Sequence, residues 1–108
     1  MGKRILEGIP ASAGKVTGKV RVILEPSECH KFKKGEILVT EMTDPFYAPA
    51  IMKARALITE IGGLLCHAAI IAREVGIPCL VSVKNATKIL KDGQTITVDA
   101  SIGKISYE

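Results

Sequence analysis

The stretch "GGLLCHAAIIAREVGIPCL", residues 62–80, predicts a glycine loop, an amphipathic helix and the start of a strand. The apolar residues inside it recur at helical spacing and form one face, which consists of Ala68, Ile71, Ala72 and Val75. Gly76 is the kind of residue that ends a helix in the left-handed conformation, and Pro78 prevents the helix from continuing. This unit of loop, helix and strand is typical of a protein that mixes helices with strands.

The rest of the chain supplies further strands and shorter helices. Segments that are rich in β-branched or apolar residues and bounded by turn-forming residues are predicted to be strands: 20–24, 37–40, 56–59, 79–83, 95–98 and 104–107. Asp44 predicts an N-cap with Pro45 as the first helical residue, and a further short helix is predicted over 85–90. With 108 residues, we expect one domain, residues 1–108, of the α/β class.

Composition and charge limit the classes of protein to which this chain can belong. Hydrophobic residues make up 47% of the chain and charged residues 24%, which predicts a folded domain rather than a disordered chain. The net charge is +4, but the dense positive cluster is only Lys31, Lys33 and Lys34, which a solvated turn explains better than a nucleic-acid surface. We therefore expect no nucleic-acid partner.

Membrane and secretory signals are weak in this sequence. The longest nearly apolar run, residues 61–72, is shorter than the roughly 20 residues that a bilayer-spanning helix needs. The first residues show no apolar segment of a signal peptide. The cysteines, Cys29, Cys66 and Cys79, have no paired spacing, which indicates reduced thiols. We expect a cytoplasmic protein without a membrane partner, and the sequence leaves its oligomeric state open.

His67 lies in the first turn of the predicted helix, after Gly62 and Gly63 and before Ala68 and Ala69. The glycines permit positive φ and the close approach of another molecule. First-turn N–H groups lack an intrahelical partner and, with the helix dipole, favour an anion such as phosphate. Because the same field disfavours an imidazolium, we expect a neutral, nucleophilic imidazole. The small alanines are expected to leave room for a bulky partner.

Other interpretations of this segment stay open on the residues alone. A lone histidine in an apolar stretch is often a buried or capping residue. Cys66, at the same helix start, could act as a thiolate nucleophile or redox sensor, although no resolving cysteine is near it in the sequence. His30 and His67 show no metal-ligand spacing with the cysteines, so no metal site is predicted.

The segment "GGLLCHAAIIAREVGIPCLVSV", residues 62–83, resembles the signature of the phosphohistidine, or swivelling, domain of phosphoenolpyruvate (PEP)-utilising enzymes. That family includes pyruvate phosphate dikinase, PEP synthase and enzyme I of the sugar phosphotransferase system. The resemblance continues in "ASAGKVTGKVRVI" (11–23), "LVTEMTDPFYAPAIMKARALITEIGG" (38–63) and "NATKILKDGQTITVDASIGKI" (85–105). It therefore covers almost the whole chain.

The resemblance implies a three-layer β/β/α swivelling domain whose histidine carries a phosphoryl group between two remote active sites. By its position in the motif, His67 would be phosphorylated on Nε2. The residues that match the loop and helix start around it are Gly62, Gly63, Cys66, Ala68 and Ala69. Arg73 also matches the motif, although a solvent-facing helix charge explains it equally well. Many members have threonine at the position of Leu65, so a hydroxyl contact to phosphate is not expected there.

The resemblance also implies partners. In the large relatives a nucleotide-binding domain phosphorylates the histidine, and a barrel domain exchanges the phosphoryl group with pyruvate or PEP. The 108 residues have room for neither, and the glycine segment 14–20 does not match a P-loop. We expect a stand-alone phosphotransferase component that binds no cofactor itself, with Mg²⁺ brought by nucleotide-binding or PEP/pyruvate-binding partner chains. A non-catalytic binding or regulatory module that keeps the fold is the open alternative.

Overall fold

The computed structural model describes residues 3–108, which contain eight strands, three α-helices and two short 3-10 helices. The strands are β1 (Arg4–Glu7), β2 (Ile9–Ser12), β3 (Lys15–Val22), β4 (Ile37–Thr40), β5 (Ala56–Thr59), β6 (Cys79–Val81), β7 (Thr95–Asp99) and β8 (Lys104–Tyr107). The α-helices are α1 (Ala48–Ile51), α2 (His67–Val75) and α3 (Ala86–Ile89), and the 3-10 helices are Pro26–Lys31 and Pro45–Tyr47.

Strand β3 connects two sheet layers. The strand order is β1-β8-β7-β3-β4-β5-β6-β2, and the pairs β3–β4, β4–β5 and β5–β6 are parallel. The first part of β3 pairs antiparallel with β7, whereas Val20, Arg21 and Val22 pair with β4. The chain therefore leaves the antiparallel layer within a single strand and enters the parallel one.

Two apolar cores lie on opposite faces of the parallel layer, and the alternation of side chains along each strand explains them. In β4, Leu38 packs into the core that contains Ala69 and Ala72 of α2. Its neighbours Ile37 and Val39 belong to the second core, which is shared with residues of β7 and β8. Helices, parallel sheet and antiparallel sheet thus form three layers, as expected for the β/β/α arrangement.

The central helix follows its sequence signals closely. Helix α2 begins at His67 and ends at Val75, and Gly76 follows in the left-handed conformation with φ +77°. The N–H of Gly76 donates to the carbonyl of Ala72 at 2.9 Å, which satisfies one of the last carbonyls of the helix. Within residues 3–108, no helix has both the length and the apolar character required to cross a membrane.

The structure also differs from the predicted elements. Strands β1 and β2 were not predicted, and β3 starts five residues before the predicted strand. Strand β6 stops at Val81 because Ser82 adopts φ +59°, which is incompatible with extended backbone. The predicted helix at Asp44 divides into a 3-10 helix and α1, so that Pro49 falls in the first turn of the second helix, where its missing N–H is tolerated.

Candidate functional site

The site lies where two neighbouring parallel strands end. Thr40 of β4 pairs with Thr59 of β5, so the loops that follow both strands leave the same edge of the sheet. The loop after β4 carries Thr43, and the loop after β5 leads to His67 at the start of α2. Parallel pairing therefore brings together two residues that are 24 positions apart.

The imidazole of His67 is held by one nitrogen and left free at the other. Its Nδ1 lies 2.8 Å from the hydroxyl oxygen of Thr43, whose side chain is buried. Nε2 forms no hydrogen bond with residues 3–108, and no buried side-chain nitrogen of that part of the chain lacks a partner. Since His67 is itself half-buried, Nε2 must reach solvent. A reactant can approach only that ring nitrogen without displacing the threonine.

The N-terminus of α2 presents uncapped backbone N–H groups beside the imidazole. Cys66 is the N-cap residue in an extended conformation, and its side chain accepts no capping hydrogen bond. The first intrahelical acceptor is the carbonyl of Cys66, which receives the N–H of Ile70 at 3.1 Å. No acidic residue lies in the first turn. This end of the helix therefore favours an anion.

The two glycines before the helix have different roles. Gly62 has φ +139°, and a Cβ placed on it would lie 2.8 Å from Sγ of Cys66. Gly62 is therefore required by both conformation and space. Gly63 is not among the residues with positive φ, and a Cβ placed on it would meet no atom within 4 Å. The expected positive φ is present only at Gly62.

Ala68 and Ala69 do not leave room for a partner in the way that the sequence analysis expected. Their side chains are 2% and 0% exposed and pack into the core between α2 and the sheet. Their small size lets the helix approach the strands closely, so their methyl groups face inward. Ala68 also reaches the edge of the pocket beside His67, whereas Ala69 does not line it.

A pocket of about 190 Å³ adjoins His67. It is lined by Met42, Thr43, Ile61, Gly62, Cys66, His67 and Ala68. Four apolar side chains of this region are at least half exposed, and we call them the apolar collar: Met42, Ile61, Leu64 and Leu65. Leu65 alone is 85% exposed. An apolar surface around a free ring nitrogen is suited to contact with another protein surface.

Arg73 contacts backbone carbonyls on both sides of the site. One terminal nitrogen, Nη1, donates to the carbonyl of Ala11 at 2.9 Å, and Nη2 donates to the carbonyl of Leu64 at 2.7 Å. Arg73 is exposed, as expected for a solvent-facing helix charge, but its guanidinium also binds these two carbonyls. The side chain reaches back along the helix toward its N-terminus, the usual direction for a long helical side chain.

The cysteines lie in different environments. Cys29 and Cys79 are buried, whereas Cys66 is half-buried at the helix start. Burial raises the pKa of the Cys79 thiol to about 12. Within residues 3–108, no three histidine, cysteine or acidic side chains form a group that could hold a metal ion. His30 is exposed on the 3-10 helix Pro26–Lys31, with Nδ1 at 2.8 Å from the carbonyl of Ser27.

Thr43 is the site residue that the sequence analysis missed. It lies just before Asp44, whose carboxylate accepts the N–H of Phe46 at 2.8 Å and caps the following 3-10 helix. The cap fixes the turn in which Thr43 sits. The sequence does offer one indication of its role. The turn that carries Thr43 follows the buried strand β4, and the neighbouring parallel strand β5 leads to the histidine loop.

Comparison with known proteins places this geometry in a family context. Residues 32–103 match the sequence profile of the family described as "PEP-utilising enzyme, mobile domain". A probable phosphoenolpyruvate synthase of Archaeoglobus fulgidus is 50% identical over 107 residues, which cover 99% of this chain and 14% of that protein. A rifampicin phosphotransferase of Bacillus cereus is 48% identical over 98 residues, which cover 91% of this chain and 11% of that protein. The chain thus spans only a small part of the length of these relatives.

The fold is also similar to that of a solved structure with a different name. Aconitase X of Thermococcus kodakaraensis superposes with a TM-score of 0.73 at 20% identity, covering 97% of this chain and 98% of that one. At this identity the similarity concerns the fold alone. The same layers thus occur in a protein whose name indicates different chemistry, so the function has to be argued from the residues of the site.

Proposed function

Because the chain belongs to the mobile-domain family of PEP-utilising enzymes, we propose that it is a phosphoryl-carrier domain in which Nε2 of His67 accepts and releases the phosphoryl group. The observation that carries the proposal is the 2.8 Å contact between the Thr43 hydroxyl and Nδ1, which leaves Nε2 as the accessible nitrogen. A carrier needs one reactive atom that successive partners can reach, and Nε2 meets that need.

The Thr43 hydroxyl is able both to donate to Nδ1 and to accept from it, and the proposal assigns it the role of acceptor, which supports the tautomer that can react. When the proton is on Nδ1, that nitrogen donates its hydrogen bond to the threonine oxygen, and Nε2 keeps its lone pair. In the transfer, this lone pair forms a nitrogen–phosphorus bond while the bond from phosphorus to the donor oxygen breaks. The leaving oxygen takes the electron pair with it. Release to an acceptor is the reverse of this step, so the proton on Nδ1 stays in place throughout.

The surroundings of Nε2 suit the charge that arrives with the phosphoryl group. The side chain of Cys66 does not cap the N-terminus of α2, and the first turn of the helix has no acidic residue. A helix N-terminus stabilises a nearby negative charge by about 0.3–1 kcal/mol at an exposed position. This contribution lowers the free energy of the phosphorylated state modestly, so the group remains transferable, as a carrier requires.

The apolar collar supports contact with partner surfaces. Its side chains lie around the histidine loop, and Met42 and Ile61 also line the pocket beside His67. We propose that nucleotide-binding and PEP- or pyruvate-binding domains dock here in turn and exclude water from the reacting atoms. Their substrates would bring any Mg²⁺ that the transfer requires. A chain that takes part in these steps works in the cytoplasm, where PEP and nucleotides occur together.

Radiolabelled phosphoryl donors test this proposal. Phosphoramidate is a small donor that needs no partner. Labelled PEP is the second donor, and it is added together with the Archaeoglobus fulgidus relative. In that relative the residue aligned with His67 is replaced by alanine, so that the relative cannot be labelled there itself. The chain contains two histidines, so His30→Ala is the matched control for His67→Ala. We expect acid-labile, alkali-stable label in the wild-type chain and in His30→Ala, and none in His67→Ala.

Equal labelling of His67→Ala and wild type would refute the proposal. The second candidate, a binding or regulatory module without phosphotransfer, is favoured by the apolar collar alone, since that surface would serve docking without any chemistry. It predicts that the chain binds the relative but takes no label from PEP. Transfer of label from PEP to His67 would exclude that candidate.

A further inference from the structure

We propose that Arg73 is a positioning residue for the phosphoryl transfer, which it serves by joining the histidine loop to a bulge in β2. The inference rests on the proposed function of His67. Its basis is the pair of charge-assisted hydrogen bonds from one guanidinium to the carbonyls of Ala11 and Leu64. Arg73 contacts neither Nε2 nor the pocket beside it, so its effect on transfer must pass through the loop.

The first half of the histidine loop is held without Arg73. The N–H of Ile61 donates to the carbonyl of Glu41 at 3.0 Å, and the hydroxyl of Thr59 donates to the carbonyl of Ile61 at 2.9 Å. The next residue, Gly62, adopts φ +139°, a conformation that only glycine adopts readily. These contacts connect the start of the loop to the ends of β4 and β5.

The second half of the loop depends on Arg73. Leu64 and Leu65 are 52% and 85% exposed, so apolar packing does not fix them. Within residues 3–108, the 2.7 Å bond from Arg73 is the only hydrogen bond made by the backbone of these two leucines. A charged donor bound to a backbone carbonyl is stronger than a neutral pair. Arg73 therefore fixes the part of the loop that leads into Cys66 and His67.

The other end of this connection is a β-bulge. In the pairing of β2 with β6, Pro10 faces Leu80 and Ser12 faces Cys79, so the register shifts at Ala11. A bulge residue is released from the regular ladder, and its carbonyl is free for another donor. Here the carbonyl of Ala11 accepts the bond from Arg73 at 2.9 Å. The bulge thus anchors the arginine to the sheet.

Fixing the loop fixes the imidazole. Leu64 precedes His67 by three residues, and the turn between them is closed by the 3.2 Å bond from the N–H of Cys66 to the carbonyl of Gly63. Movement of this turn would shift the start of α2 relative to Thr43 and break the contact that directs Nε2 outward. We infer that Arg73 keeps His67 in the reactive tautomer and orientation.

The experiment compares Arg73→Gln, Arg73→Lys and the control Arg55→Gln. Among residues 3–108, the guanidinium of Arg55 makes a single hydrogen bond, a 3.4 Å contact with the carbonyl of Thr17, at the opposite end of the parallel strands. Two quantities are measured for each folded variant: the rate of His67 labelling by phosphoramidate, and the ¹⁵N chemical shifts of the His67 ring, which report its tautomer. For Arg73→Gln we expect the labelling rate to fall about tenfold, which corresponds to the free energy of one lost charge-assisted hydrogen bond. We also expect the ¹⁵N shifts of the ring to move toward those of a mixture of tautomers. Arg55→Gln should match the wild type.

Arg73→Lys separates positioning from a direct charge effect on the phosphoryl group. One ammonium keeps the charge but cannot bridge both carbonyls in the way that the guanidinium fork does. We expect it to fold, to label more slowly than the wild type and to show altered ring shifts. Wild-type labelling by Arg73→Gln, or wild-type labelling and ring shifts in Arg73→Lys, would overturn the inference. If the wild-type chain itself takes no label on His67, it is the proposed function that fails.

Discussion

The hydroxyl oxygen of Thr43 lies 2.8 Å from Nδ1 of His67, although the two residues belong to loops that follow different strands. The contact exists because β4 and β5 are adjacent and parallel, so their loops start at the same edge. The two ring nitrogens therefore differ in their surroundings, since Nδ1 is bound to Thr43 and Nε2 has no partner within residues 3–108. The consequences of this arrangement can be measured.

Replacing Thr43 with valine should slow the phosphorylation of His67. Valine has nearly the same shape as threonine but offers Nδ1 no oxygen, so the reactive tautomer loses its hydrogen bond. We expect labelling by phosphoramidate to fall by about tenfold, since an unsatisfied, partly buried donor costs about 1–3 kcal/mol. Thr43→Ser retains the hydroxyl and should label nearly as fast as the wild type. Equal rates for the valine and serine variants would contradict the role given to this contact.

The glycine pair provides a test of local conformation. Gly62→Ala should destabilise the fold, because φ is +139° and the added Cβ would lie 2.8 Å from Sγ of Cys66. A strained backbone position costs about 1–3 kcal/mol, which lowers the thermal midpoint by several degrees in a domain of about this size. Gly63→Ala is the matched control, and its Cβ meets no atom within 4 Å. Thermal unfolding followed by circular dichroism measures both, and equal midpoints would be inconsistent with this geometry.

Much of the fold follows from local sequence signals. Helix α2 could be predicted because its apolar spacing, Gly76 and Pro78 all indicate the same element. Strands β1 and β2 could not, because their residues are mostly exposed or at an edge, and Pro10 argues against a strand. What makes them strands is pairing with β8 and β6, which are distant in the sequence.

The same distinction applies to the site. His67 and Gly62 could be identified from their own segment, since their chemistry depends on the helix start and the loop. The roles of Thr43 and Arg73 depend on contacts across the fold, which join residues 24 and 62 positions apart. No local pattern shows that the carbonyl of Ala11 is released by a bulge. Such contacts require the register of the strands to be known first.

Thiol labelling should distinguish the cysteines by burial. Because burial raises the pKa of the Cys79 thiol to about 12, its thiolate fraction at pH 8 is on the order of 10⁻⁴. Burial also raises the pKa of Cys29. We expect iodoacetamide at pH 8 to alkylate Cys66 in the native protein, and all three thiols after unfolding, as measured by mass spectrometry of peptides. Alkylation of Cys79 as fast as Cys66 in the folded chain would show that this strand is not buried.

The ion pair between Glu36 and Arg21 should make the stability of the fold depend on pH. Burial tends to raise the pKa of Glu36, but this is outweighed by the hydrogen bond from Arg21, the backbone N–H of Lys33 and the nearby positive charges, which lower it. The guanidinium binds both carboxylate oxygens, at 3.1 and 3.0 Å, and the glutamate side chain is only 12% exposed. Since the pKa is lower in the folded state, the pair stabilises the fold above the ordinary pKa of glutamate. This stabilisation is lost as the pH falls toward the lowered value.

Glu36→Gln isolates this effect. The variant should lose about 1–2 kcal/mol of unfolding free energy near pH 7, the value of hydrogen bonds to a charged group at a partly buried site. Below the lowered pKa of Glu36 it should approach the wild type in stability. Urea unfolding between pH 3 and pH 7 measures the difference, and Glu25→Gln is the control because Glu25 is exposed and forms no ion pair within residues 3–108. A difference between Glu36→Gln and wild type that stays constant over this pH range would mean that the carboxylate acts through its shape and not its charge.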